Sequence, residues 1–92
     1  MHYLYILLCK DDTLYTGVTN NLKRRFLQHK NKRGGRYTSI HGAVKILYKE
    51  GYLIRKGALK REKQIKSWRR EKKIRLTKTA YNMKNETLKY IP

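Results

Sequence analysis

Carboxylates are few in this 92-residue chain: six Asp and Glu stand against 24 Lys and Arg, a formal charge of +18. So large an excess is costly in self-repulsion and is relieved by a polyanion. Cysteine occurs once, at Cys9, which excludes an internal disulfide and a CxxC metal site. With no HExxH pattern either, zinc has no ligand frame. No hydrophobic run approaches the length of a membrane span. The apolar stretch 1–9 lacks a basic leader, is too short for a secretory core and has no cleavage signature. A reduced, cytoplasmic protein with no membrane partner is the expectation. Gly34-Gly35 fits neither GxxxxGK[ST] nor GxGxxG, which excludes a nucleotide loop of those kinds. Ser39 and the lone histidines form no triad.

What is present is a small core and a basic coat. Hydrophobic residues make up 39% of the chain, and eight of its ten aromatics are Tyr, too much ordering potential for a disordered basic tail. The length allows a single domain. Nucleic acid is the leading partner, because Lys and Arg contacts to phosphate supply most non-specific affinity. An anionic membrane would require an amphipathic helix with a clean apolar face.

Tyr3–Cys9 is continuously apolar, as in a strand buried on both faces. After the turn Lys10-Asp11-Asp12, the stretch Thr13–Val18 reads as a second strand forming an antiparallel hairpin with the first. Gly17 within it marks a bulge or a close approach to the backbone. Thr19 and Asn20 are N-cap types ahead of a helix over Asn21–Lys30, with Leu22, Phe26 and His29 on one face. A basic, glycine-rich loop comes next. Ala43–Glu50 then reads as a third strand, alternating Val44, Ile46 and Tyr48 against Lys45, Leu47 and Lys49. Ile54–Arg69 reads as a second helix, with Ala58, Ile65 and Trp68 inward and Lys56, Lys60, Arg61, Lys63 and Lys66 outward. A short helix continues over Glu71–Leu76. The order ββαβα(α) gives an α+β sandwich whose three-stranded sheet is mixed or antiparallel. Residues 1–76 form the domain, and 77–92 a loosely ordered basic tail.

Glu62 is the most informative residue. At ~100° per residue it falls between Ala58 and Ile65 on the apolar stripe, where a carboxylate is costly unless paired or coordinated. The ordinary reading is an internal ion pair with one of the many arginines. The sharper one is a single carboxylate holding Mg²⁺ together with waters and a substrate phosphate. Arg25 and His29, at i and i+4, share one side of the first helix. Arg25 suits a phosphate clamp, and His29 a proton acceptor; the ordinary readings are a surface Arg and a half-buried His. Tyr5 and Tyr15 stand on the paired strands, where Tyr usually packs, yet two hydroxyls there would also position a water over a phosphate. Lys30, Lys32, Arg33, Arg36 and Tyr37 suit a loop that tracks a phosphate backbone and stacks on a base.

These residues together resemble the GIY-YIG nuclease domain. The resemblance rests on Tyr3-Leu4-Tyr5, then Tyr15-Thr16-Gly17, then Asn21-Leu22-Lys23-Arg24-Arg25, Gln28-His29, and Glu62 in Ala58-Leu59-Lys60-Arg61-Glu62. It covers about residues 2–76 and is strongest for small stand-alone bacterial members. The run Arg25-x-x-Gln28-His29-Lys30 is also similar to the catalytic subunit of eukaryotic structure-specific resolvases. The resemblance implies a three-stranded antiparallel sheet flanked by helices, and phosphodiester hydrolysis with one divalent metal, Mg²⁺ or Mn²⁺. Glu62 would be the metal ligand, Arg25 would stabilise the phosphate, and Tyr5, Tyr15 and His29 would orient or deprotonate the attacking water. Tyr3 replaces the family's leading Gly, and Thr16 its middle Ile. Where many catalytic members carry an Asn after the Glu helix, this chain has Lys66-Ser67-Trp68-Arg69.

The implied function is a metal-dependent endonuclease acting on nucleic acid, with DNA favoured over RNA, in repair or recombination. The alternative is a non-catalytic nucleic-acid-binding module on the same fold. A third reading, an adaptor docking an unidentified protein partner through the second helix and Trp68, explains neither tripeptide.

Overall fold

The structure, a computed structural model, describes residues 1–31 and 40–82, with side chains through Lys78. Strand β1 (His2–Cys9) is central, with β2 (Leu14–Thr19) and β3 (Ala43–Tyr52) antiparallel on either side. The central place is explained by composition: Leu4 and Ile6 point to one face and Tyr5 and Leu7 to the other, all buried. Helix α1 (Leu22–Lys30) covers the Tyr5/Leu7 face through Leu22 and Phe26. Helices α2 (Arg55–Lys66) and α3 (Arg70–Asn82) belong to the opposite face, where Ile65, Trp68 and Leu76 close over Leu4 and Ile6. The antiparallel three-stranded α+β fold is the expected one.

Several local boundaries differ from expectation. The N-cap of α1 is Asn21, whose side chain accepts from Arg24 N–H at 3.0 Å, satisfying one of the helix's free donors. Thr19 instead takes the Asn21 N–H on its hydroxyl. Helix α2 stops at Lys66 rather than Arg69, because the Ser67 hydroxyl and N–H both turn back to the Gln64 carbonyl. Helix α3 continues past residue 76 to Asn82, with Thr77 buried.

Strand β3 breaks the simple alternation read from its sequence. Leu7 pairs with Ile46 while Ile6 pairs with Tyr48, so Leu47 is an extra residue, and Val44 is a second one between the Leu8 and Cys9 pairs. Each bulge reverses the facing of the residues beyond it. Ile46 therefore joins the α1 face and Tyr48 the α2 face.

Beyond the bulges, Tyr48, Glu50 and Tyr52 share one face of β3 and meet Arg61 of α2. The Glu50 side chain is fully buried. Arg61 donates to it through Nε (3.0 Å) and Nη2 (3.0 Å), and the Tyr48 and Tyr52 hydroxyls complete its shell. Arg61 is thus not on the basic outer face where its sequence position suggested. Its guanidinium also lies 5.2 Å from the Trp68 ring centroid, and Lys72 Nζ lies 4.3 Å from the same centroid, which ties α2 to α3. Among the described residues the buried Glu–Arg pair is Glu50–Arg61, and Glu62 pairs with Lys66 instead.

Burial pushes the Glu50 carboxyl up, but the donors from Arg61, Tyr48 and Tyr52 outweigh it and hold the group below the ordinary Glu value. Removing one partner strands the other. Glu50→Ala is expected to lower stability by about 3–5 kcal/mol in urea unfolding, with Arg61→Ala similar and the double variant costing less than the sum. Because the native value is depressed, the Glu50 contribution is present above the unfolded value of about 4.3 and is lost as pH falls below it. A urea-midpoint series from pH 7 to 3 on the wild type and Glu50→Gln checks this, the wild type losing more on acidification.

Candidate active site

The site is built around a glycine. Gly17 is the cross-strand partner of Tyr5, and a Cβ placed on it would lie 2.5 Å from the Tyr5 hydroxyl oxygen and 2.7 Å from Cζ. No side chain fits there, so the bare backbone lets the Tyr5 ring cross β2. The close approach expected at Gly17 is therefore made by Tyr5 itself. Crossing there brings the hydroxyl beneath α1, where His29 Nε2 stands 2.9 Å away. The Tyr15 ring completes the group, its centroid 5.1 Å from that of His29 and 6.3 Å from that of Tyr5.

Burial sets the charge state of this group. His29 has 0% of its surface exposed; desolvation first, and the Arg25 charge second, push its pKa down to about 4. Tyr5 is raised to about 12, chiefly by burial, with Tyr15 and Glu62 adding and a hydrogen bond from Arg25 opposing. Both groups are neutral near pH 7. The Arg25 guanidinium acts on the Tyr5 oxygen, opposing the rise in its pKa, and its Nη1 donates to Gln28 Oε1 at 3.1 Å. The Tyr5 O–H is then the natural donor to Nε2, which places the imidazole proton on Nδ1.

Glu62 lies on α2 with a half-buried side chain, 21% exposed, and pairs with Lys66 at 3.3 Å. Ala58 and Ile65, its stripe neighbours, are fully buried. Glu62 is near enough to Tyr5 for its charge to act on that hydroxyl. Among the described residues no three His, Cys, Asp or Glu side chains group as a metal cage. A lone carboxylate of this kind fits a Mg²⁺-like ion, which keeps waters and takes its remaining oxygens from a substrate phosphate.

Lys30 is exposed at the end of α1; Lys32, Arg33, Arg36 and Tyr37 lie outside the described residues. Thr16, facing Leu4 and Ile6 where the family pattern has Ile, is buried, and its hydroxyl has no hydrogen-bond partner among the described residues. The Glu50 network was missed in sequence. Its signal was a Tyr-x-Glu-x-Tyr run at Tyr48, Glu50 and Tyr52, whose period of two puts three polar groups on one strand face.

A family model of the GIY-YIG catalytic domain matches residues 1–75. The chain belongs to the GIY-YIG family. That family is one of nucleases, and its two signature tripeptides lie here side by side on β1 and β2. A UPF0213 protein of Staphylococcus saprophyticus is 43% identical over 75 residues, covering 82% of this chain and 92% of that one. A UPF0213 protein of Clostridium perfringens is 46% identical over 76 residues, covering 83% and 82%. Among solved structures, the solution NMR structure of a UPF0213 protein from Bacillus halodurans matches with a TM-score of 0.55 and 33% identity, over 85% of this chain and 83% of that one.

The environment of His29 makes a direct prediction. In an NMR pH titration its imidazole stays neutral from pH 8 to 5 and titrates near 4. Since the native value lies below the unfolded value of about 6.5, the unfolded chain binds the proton first, so this contribution to stability is lost as pH falls through that interval. A His29 titration near 6.5 would show that the burial and Arg25 charge described here do not act on it.

Proposed function

We propose that this GIY-YIG protein is a divalent-metal-dependent endonuclease that hydrolyses phosphodiester bonds in nucleic acid, DNA before RNA. The observation that carries the reading is the convergence on Tyr5 of His29, Arg25, Tyr15 and the charge of Glu62, brought together by β1, β2, α1 and α2. A structural tyrosine needs one hydrogen-bond partner; this one has a neutral imidazole at 2.9 Å and a guanidinium acting on the same oxygen.

Glu62 would hold Mg²⁺ or Mn²⁺, which when bound polarises the phosphate and lowers the pKa of water. Arg25 faces the phosphate and offsets the charge that grows on its oxygens. His29 and Tyr5 are equally buried, 0% and 2% exposed, so they act as one relay through the Tyr5–Nε2 hydrogen bond, once substrate admits the attacking water to the Tyr5 hydroxyl. As the water oxygen bonds to phosphorus and the ester P–O bond breaks, the water gives a proton to the Tyr5 oxygen while the Tyr5 O–H proton passes to Nε2. The departing oxygen takes a proton from solvent. Tyr15 orients the water from β2. An arriving phosphate also offsets the Arg25 charge that helps to depress His29, making the imidazole a better acceptor when substrate is present.

The test is cleavage of labelled single-stranded, duplex, flap and branched DNA and of RNA, with Mg²⁺, Mn²⁺ or EDTA. Glu62→Ala and Arg25→Ala should each lower the rate by at least about 10²-fold while leaving the thermal midpoint and most binding in place. Preference for flaps or branches would point to repair or recombination. Tight binding without cutting under any metal would replace the proposal with the non-catalytic binding module, and a variant cutting at the parent rate would remove that residue from the mechanism.

A further inference from the structure

Beside the Tyr5 group is a cleft of about 380 Å³ that the chemistry above does not use. His2 at the start of β1, Asn20, Arg24, Arg25 and Gln28 around α1, and Arg55 at the start of α2 line it. Three guanidiniums therefore converge from two helices on opposite faces of the sheet. Amide oxygens orient two of them: Arg24 donates to Asn20 Oδ1 at 3.2 Å and Arg25 to Gln28 Oε1 at 3.1 Å. An amide oxygen orients a guanidinium without cancelling its charge. The ion pairs among the described residues are His41–Asp11, Arg61–Glu50, Lys66–Glu62 and Arg70–Asp12, and none engages Arg24 or Arg55. In a protein with six carboxylates, these four pairs lie elsewhere and leave the charges of Arg24 and Arg55 uncancelled.

We propose that this cleft binds a second, non-scissile backbone phosphate of the same nucleic-acid strand, with Arg24 and Arg55 as its ligands and Arg25 shared with the reacting phosphate. The inference rests on the nuclease reading for the scissile position, but the cleft itself requires only a phosphate backbone. Its volume admits a phosphate together with its sugar. The forked donors of Arg suit phosphate oxygens better than the point charge of Lys. Because Arg25 lines both places, a strand held at Arg24 and Arg55 is delivered in register to Tyr5 and Glu62. The cleft reads backbone and not base, so it sets where the strand lies and not its sequence.

The experiment is fluorescence anisotropy without metal, using labelled single-stranded DNA, duplex DNA and RNA across a salt series. Arg24→Ala/Arg55→Ala is compared with Lys45→Ala/Lys63→Ala, which removes the same charge at exposed positions outside the cleft. Both altered arginines are exposed, so folding should be retained. The cleft variant is expected to bind at least about 10-fold more weakly and to reduce the salt slope by about 1, for the one phosphate lost, the lysine variant by less than half as much. On cleaved substrate the cleft variant should raise KM by a larger factor than it lowers kcat. Equal losses in the two variants, or a cleft variant indistinguishable from wild type, would overturn the proposal. Since binding is read without metal, a wild type that shows the arginine dependence but never cuts would refute the nuclease reading and leave the cleft standing.

Discussion

The contact on which the site depends is the crossing of Tyr5 over Gly17. A side chain at Gly17 would occupy the space of the Tyr5 phenol, and without the crossing the hydroxyl would not reach His29 on the covering helix. That one contact links three elements: β1 supplies the ring, β2 the gap, and α1 the imidazole and the guanidinium. It also explains why a hydrogen bond 2.9 Å long can sit in the core. The polar atoms of Tyr5 and His29 satisfy each other, so the usual cost of burying them is offset. Neutral His29 and neutral Tyr5 are the form in which the core tolerates them, and the same form can pass a proton inward.

Scarcity of carboxylate organises the rest. Glu50 is committed to Arg61 and fixes α2 against β3 from inside. Asp11 meets His41, and Asp12 meets Arg70, tying the β1–β2 turn to the approach of β3 and to the start of α3. Glu62 sits next in sequence to Arg61, so the buried Glu50 pair also sets the rotation of α2 that turns Glu62 toward the Tyr5 side. Fixing the neighbour fixes the carboxylate. Few acids remain to neutralise the basic surface, and that surplus is what a phosphate backbone would meet.

Much of this was legible in the sequence. The continuous apolar run at Tyr3–Cys9 announced a strand buried on both faces, and Gly17 marked a bulge or a close approach, of which the close approach is what occurs. Helical spacing put Leu22, Phe26 and His29 inward, and Ala58 and Ile65 likewise. What escaped was whatever depended on registers set in three dimensions. The bulges at Val44 and Leu47 reverse the facing of β3, so no fixed alternation could show that Ile46 and Tyr48 face opposite ways. Arg61 looked like one more outer cation because a helical wheel does not know that a carboxylate waits beneath it. Glu62 was placed on the apolar stripe, and it lies at the stripe's edge, half-buried and paired with Lys66. The arginine cleft joins residues from β1, α1 and α2 that no local pattern connects.

The most direct measurement is the rate of the single-atom variant Tyr5→Phe with saturating nucleic acid and Mg²⁺, beside wild type and with thermal unfolding of both. The ring keeps its place over Gly17 and only the hydroxyl is removed. A wild type that cuts, and a variant slowed by about 10²–10⁴-fold with its unfolding midpoint changed by a few degrees, is the outcome this account requires. A Tyr5→Phe protein that cuts at the wild-type rate would contradict it, because the hydroxyl joining His29 to the water would then have no part in the chemistry.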